Sequence, residues 1–274
     1  MNQNSNLQKL QQALSPAQSI LVTMPQSLNL DKVAASLALY LSLKKTGKAV
    51  TVVCPQSIKV EFSQLVGVDK VTDKIGNRNL TVSFDYVKDS IEKVSYNIEG
   101  SKFNILIQPK TGYPPLDAKK VSYSYSGTDS ELIFIIGTQR FEDLGRLYEN
   151  ERSLFSEKQV VNIDYNPKNT GFGEINIFNP QASSYSEIVA IILKTINLPC
   201  DGDIATNLLL GLQSATNNFQ SPNVSADTFE VAAYCLRAGA KWIGEKKPLE
   251  EEKKKIISSP DWLSPKIYKG KTRV

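Results

Sequence analysis

A strand-like run, Val160-Val161-Asn162-Ile163, ends in Asp164 and is followed by Tyr165 and Asn166. A carboxylate at a strand end can hold a divalent cation, or it can cap the turn that follows. Five residues on, Asn169, Thr170, Gly171 and Gly173 form a loop whose backbone amides can cradle a phosphate, or whose glycines simply relieve the backbone. Ser183, Ser184 and Ser186, with Glu187, stand where a helix begins, which suits a helix cap and also an anion at the helix N-terminus. The chain has no histidine, so it has no imidazole base, acid or metal ligand. Its three cysteines, Cys54, Cys200 and Cys235, are widely spaced among apolar neighbours. That spacing suits reduced core thiols better than a zinc site or a disulfide frame.

These residues need elements to position them, and the hydrophobic pattern supplies an α/β order. A short helix over 5–14 precedes a strand at 19–24, a long helix over 29–46 stops at Gly47, and AVTVVCP at 49–55 completes a βαβ unit. In the long helix Ala34, Ala35 and Ala38 form a small-residue face able to pack closely on a sheet. A parallel crossover of this kind predicts a doubly wound, mainly parallel sheet flanked by helices, with ligands at the strand C-termini. Between about 79 and 127 the pattern switches to β-rich alternation, with a hairpin turn at Glu99-Gly100, and predicts an antiparallel β insertion. The α/β pattern then resumes with a strand at 131–137, a helix near 141–155, a strand at 159–164, and helices near 183–196, 201–217 and 225–239. The domain reading is an N-terminal helix at 1–17, an α/β domain at 18–244 carrying the insertion, and a charged tail at 245–274.

Residues 245–274 carry nine Lys/Arg against five Asp/Glu and so supply the whole net charge of +4. The neutral body argues against a strongly basic nucleic-acid cleft. The tail mixes Trp262 and Tyr268 with Lys266, Lys269, Lys271 and Arg273, as RNA-binding or partner-docking tails do and as a solvated tail also does. In the insertion Tyr96, Phe103, Tyr123 and Tyr125 recur at strand spacing, either as a binding face or as cover for the sheet. The apolar runs are strand-length, so no membrane span is expected. The N-terminus lacks a secretory pattern, which places the protein in the cytoplasm.

The segment 160–193, a strand ending in Asp164, a glycine-containing loop, Ile-Asn and a Ser-rich helix start, resembles the central motif of the DHH phosphoesterase family, in particular its nanoRNase branch. Segments 27–48, 203–219 and 228–240 are similar in order to the family's other motif helices. The resemblance implies hydrolysis of phosphate esters of nucleotides and short oligonucleotides by two manganese ions, which bind the phosphate and activate water. It also implies a further substrate-binding domain that these residues do not reach. At the positions where the family carries its aspartate and histidine ligands, this chain has Gln26, Leu30, Lys32, Gly137, Asp164, Tyr165, Asn166 and Ala215. Only Asp164 keeps a ligand of the expected type, and Lys32 would repel a cation; a one-residue slip brings in Asp31 instead.

No cofactor is therefore expected, although the family uses manganese. One reading is a catalytically inactive homologue kept to bind a nucleotide or RNA, or a protein partner through the insertion or the tail, with a homodimer as a further form. The other is a divergent metal-dependent phosphoesterase that recruits Glu174, Glu187 or Asp203.

Overall fold

The structure is a computed structural model that describes residues 3–76, 79–126 and 128–241. Ten strands and seven α-helices follow in the order α1 (Gln3–Leu14), β1 (Ser19–Thr23), α2 (Leu30–Lys45), β2 (Ala49–Val53), β3 (Val71–Thr72), β4 (Asn79–Ser83), β5 (Ile91–Glu99), β6 (Lys102–Pro109), β7 (Ser122–Ser126), β8 (Leu132–Ile136), α3 (Arg146–Asn150), α4 (Arg152–Glu157), β9 (Gln159–Asp164), β10 (Ile175–Phe178), α5 (Tyr185–Thr195), α6 (Gly202–Ala215) and α7 (Ala226–Arg237), counted among the described residues.

Six strands form one sheet in the order β10-β9-β8-β1-β2-β3, and every pair is parallel. This is the doubly wound sheet expected from the βαβ pattern. The strand order reverses between β1 and β8, so the crevice beyond their C-terminal ends is where such a sheet offers a site. The runs ILV and LIFII are apolar on both faces because both faces are covered. Ile20, Val22, Leu132, Phe134 and Ile136 join the larger core with α1, α2, α5, α6 and α7, while Leu21, Ile133 and Ile135 face the smaller core with α3 and α4.

Helix α2 departs from the one-faced helix its alanines suggested. It is buried nearly all round, and Ala34 of its small face meets α6: a Cβ placed on Gly211 of α6 would lie 3.0 Å from the Ala34 Cβ. The helix expected at 141–155 is broken into a 3₁₀ turn at Phe141–Leu144 followed by α3 and α4. Gly145 causes the break with φ +54°, and a Cβ there would collide with the Gln26 side chain. Two short strands, β3 and β10, were not anticipated.

The insertion is antiparallel as expected, as two separate ribbons: β4 pairs with β7, and β5 with β6 around a turn containing Gly100 at φ +59°. Helix α1 lies in the same compact unit as the sheet and buries Leu10 and Leu14 in the larger core. No helix among the described residues is long and apolar enough to cross a membrane. The tail at 245–274 lies outside the described residues.

Candidate functional site

Five elements meet at the crevice between β1 and β8. The loop after β1 carries Gln26, whose amide donates to the Asp143 carbonyl at 3.2 Å. The first turn of α2, capped by Asn29 through a 2.9 Å bond from the Lys32 amide, delivers Lys32. Gly137 follows β8, with φ +71° and its amide bonded to the Ile163 carbonyl at 3.0 Å. Asp164 ends β9, and Tyr185 opens α5.

The Lys32 side chain fills the centre of this group. A Cβ built on Gly137 would stand 3.0 Å from Lys32 Cγ and Cε and 3.0 Å from Tyr185 Cζ. The Lys32 ammonium donates to the Ser27 carbonyl at 3.0 Å and lies 5.9 Å from the Tyr185 ring centroid. Partial burial holds its pKa below the usual lysine value, a pull that the negative charges of Asp164, Asp143 and Asp31 offset only in part. Tyr165 and Tyr185 complete the cluster with ring centroids 4.5 Å apart. Burial, then the charges of Asp31 and Asp164, pushes the Tyr165 phenol up to about 12. Tyr185 is raised further, by burial first and then by the neighbouring Asp164. Both phenols therefore stay protonated, and neither supplies a base.

Asp164 spends its carboxylate on the turn that follows it. One oxygen accepts the amides of Tyr165 at 2.8 Å and Asn166 at 2.9 Å, and the other accepts Asn169 Nδ2 at 2.7 Å. Asn166 accepts the Lys168 amide at 3.0 Å. Leu30 is partly buried against the core, and Ala215, at the end of α6, offers only a methyl group. Glu174 precedes β10 at the end of the sheet opposite Asp164, Glu187 is buried and bonded to Ser183 and Thr228, and Asp203 is exposed in the first turn of α6. No three of the Asp, Glu and Cys side chains among the described residues converge as a metal site would require. One carboxylate already holding three donors, beside an ammonium ion, does not fit a pair of divalent cations.

The donors singled out for phosphate are engaged within the chain. The Gly171 amide donates to the Asn169 side chain at 2.8 Å, the Gly173 amide to Asn176 at 3.1 Å, and the Thr170 amide to the Gln139 carbonyl at 3.0 Å. Gly171 has φ +66°, and a Cβ on Gly173 would sit 2.9 Å from the Asn162 Cβ, so both glycines meet backbone demands. An amide ladder that the sequence did not disclose supports this loop: Asn162 donates to Asn169 at 2.8 Å and to Asn176 at 3.0 Å, and Asn6 of α1 donates to the Asn176 carbonyl at 2.6 Å.

At the start of α5 the Ser184 hydroxyl caps the Glu187 amide at 2.9 Å. The anion that α5 attracts is the chain's own Asp31. It accepts the Tyr185 amide at 2.7 Å, the Ser186 amide at 3.0 Å and the Ser186 hydroxyl at 2.6 Å. Asp31 is thus the buried lock joining α2 to α5, and the glycine that admits it is Gly211. Sequence offered two clues to this lock: a carboxylate inside an apolar helix, and a glycine in the middle of another helix. The cysteines are free, and burial pushes the Cys235 thiol up to about 12, which leaves it unreactive.

An open parallel sheet of this order, helix-covered on both faces and with its polar cluster at the switch point, is a DHH-like α/β fold. It is shared with an exopolyphosphatase-related protein from Bacteroides fragilis, at a TM-score of 0.61 and 13% identity over 87% of this chain and 58% of that one. In sequence the chain is similar to the bifunctional oligoribonuclease and PAP phosphatase NrnA of Thermus thermophilus, 29% identical over 82 residues that make up 30% of this chain and 25% of that protein. It is also similar to the uncharacterized MG371 homolog of Mycoplasma pneumoniae, 26% identical over 125 residues, 46% of this chain and 36% of that protein. The chain therefore spans only a quarter to about a third of these relatives. No protein-family model matches it.

Proposed function

We propose that this chain is a DHH-type phosphoesterase homologue that no longer hydrolyses phosphate esters and serves as a binding module for a nucleotide, RNA or a protein partner. One observation carries the reading: the Lys32 side chain occupies the space in front of Gly137, beside Asp164, where the resemblance puts a metal-binding aspartate. A lysine there supplies a fixed positive charge, and two protonated phenols close the remaining space. Water activation needs a cation that lowers its pKa or a nearby base. At this cluster Asp164 is occupied, Tyr165 and Tyr185 are protonated, and Lys32 is cationic.

The test follows from the names of the relatives. Purified protein incubated with Mn²⁺ and either short oligoribonucleotides or 3′-phosphoadenosine 5′-phosphate is expected to release no mononucleotide and no phosphate above a protein-free blank. Titration calorimetry with Mn²⁺ should show no binding in the micromolar range. Turnover that depends on Mn²⁺ and is lost on Asp164→Asn would defeat the reading and favour a divergent metal-dependent enzyme.

A further inference from the structure

We propose that the β5–β6 hairpin is a dimerisation surface on which a second copy of this chain docks its own hairpin, face to face about a two-fold axis. The inference makes no use of the reading of the degenerate centre, so either can fail alone. Register sets Val94 opposite Ile107, Tyr96 opposite Ile105, and Ile98 opposite Phe103. Alternation therefore gathers all six onto one face, with the polar and charged Lys93, Asn97, Lys102 and Asn104 and one apolar side chain, Leu106, on the other.

Such alternation, interrupted by Leu106 alone, is the pattern of a strand covered on one side. Nothing among the described residues supplies that cover: Tyr96 is 70% exposed, Ile98 68% and Phe103 61%. The hairpin joins neither the other ribbon nor the main sheet. Two strands alone are marginal in water, whereas a second layer about 10 Å away turns them into a small sandwich.

The chemistry of the face selects the occupant. It is aliphatic around a stacked Tyr96–Phe103 pair with centroids 5.2 Å apart, and it carries no lysine or arginine. A nucleic acid needs cations to follow its backbone, so aromatics without them do not make a strand-binding groove. A patch that is uncharged and apolar throughout is complementary to itself, as a two-fold interface requires. Taking each side chain at its exposed fraction, the face covers roughly 600 Å² per copy, about 1,200 Å² for the pair, at the lower end of specific interfaces.

Sedimentation equilibrium on the full chain tests this. A reversible dimer is expected below roughly 100 µM, and Tyr96→Lys with Ile105→Lys should raise its Kd more than tenfold. Leu106→Lys, on the opposite face of β6, should leave the Kd within about twofold. Because these side chains are exposed, circular dichroism and thermal unfolding of the main core should not change. Ile105→Cys gives a second readout that needs no loss of stability, since mild oxidation should yield a disulfide-linked dimer. A monomer at roughly 100 µM, a dimer indifferent to the Tyr96 and Ile105 changes, or one dissolved equally by Leu106→Lys would each overturn the proposal. So would a monomer that binds short oligonucleotides through Tyr96.

Discussion

Gly211→Val is expected to lower the unfolding free energy by about 3–5 kcal/mol, combining overpacking with a broken buried hydrogen bond. A Cβ at this position would fall 2.0 Å from Ser186 Oγ and 3.0 Å from Asp31 Oδ1. The added group would thus land on the bond that fastens α2 to α5. Even Gly211→Ala should destabilise, although alanine in an unobstructed helix gains about 1 kcal/mol over glycine. Denaturant unfolding of Gly211→Ala alone and in a Ser186→Ala background separates the two effects. The alanine should cost markedly less once the hydroxyl is gone. If the two changes add with no coupling, the close approach of α6 to Ser186 is not what the glycine serves.

The second large effect is a pH dependence that belongs to Asp31. Burial pushes its carboxyl up to about 6, against the pull of the hydrogen bonds from Ser186 and Tyr185. A carboxyl with a folded-state pKa above its unfolded value holds its proton more tightly when folded. Its contribution to stability is therefore fully present below about pH 4, shrinks as pH rises, and is lost above about 6. From the ordinary 3.8 to about 6 the change amounts to about 3 kcal/mol. Asp31→Asn cannot titrate, so wild-type stability should fall relative to the variant by about that amount between pH 4 and pH 7. Urea unfolding across this range reads the difference directly. If the wild type instead gained on the variant as pH rose, the donated hydrogen bonds would outweigh burial.

Strongly periodic segments were legible. The βαβ unit at 19–53 and the turn at Gly100 follow from alternation, apolar runs and a glycine that accepts positive φ. What was hidden depended on partners outside each segment's own run of residues. INIF at 175–178 is too short to declare a strand, and becomes one by pairing with β9. The helix expected at 141–155 fails because the Gln26 side chain crosses Gly145, a contact between residues more than a hundred positions apart. At the site, the motif positions led to Gln26, Lys32, Gly137 and Asp164, which the fold brings to one crevice. Tyr185 lies between two serines that read as caps, and its ring closes on Gly137, where a Cβ would stand 3.0 Å from Tyr185 Cζ. The Asn162–Asn169–Asn176 ladder was equally hidden: Asn169 reads as a local turn former, while Asn162 and Asn176 come side by side only through the pairing of β9 with β10.

The link from β3 to β8 runs about 60 residues, from the end of one strand to the beginning of another that is parallel to it in the same sheet. A dozen residues suffice for such a passage. Loop-closure entropy grows only with the logarithm of length, so the surplus costs the sheet roughly 1.4 kcal/mol. This passage is therefore a tolerant graft site, where whole modules can be added, exchanged or trimmed at an entropic charge small beside the stability of a typical domain.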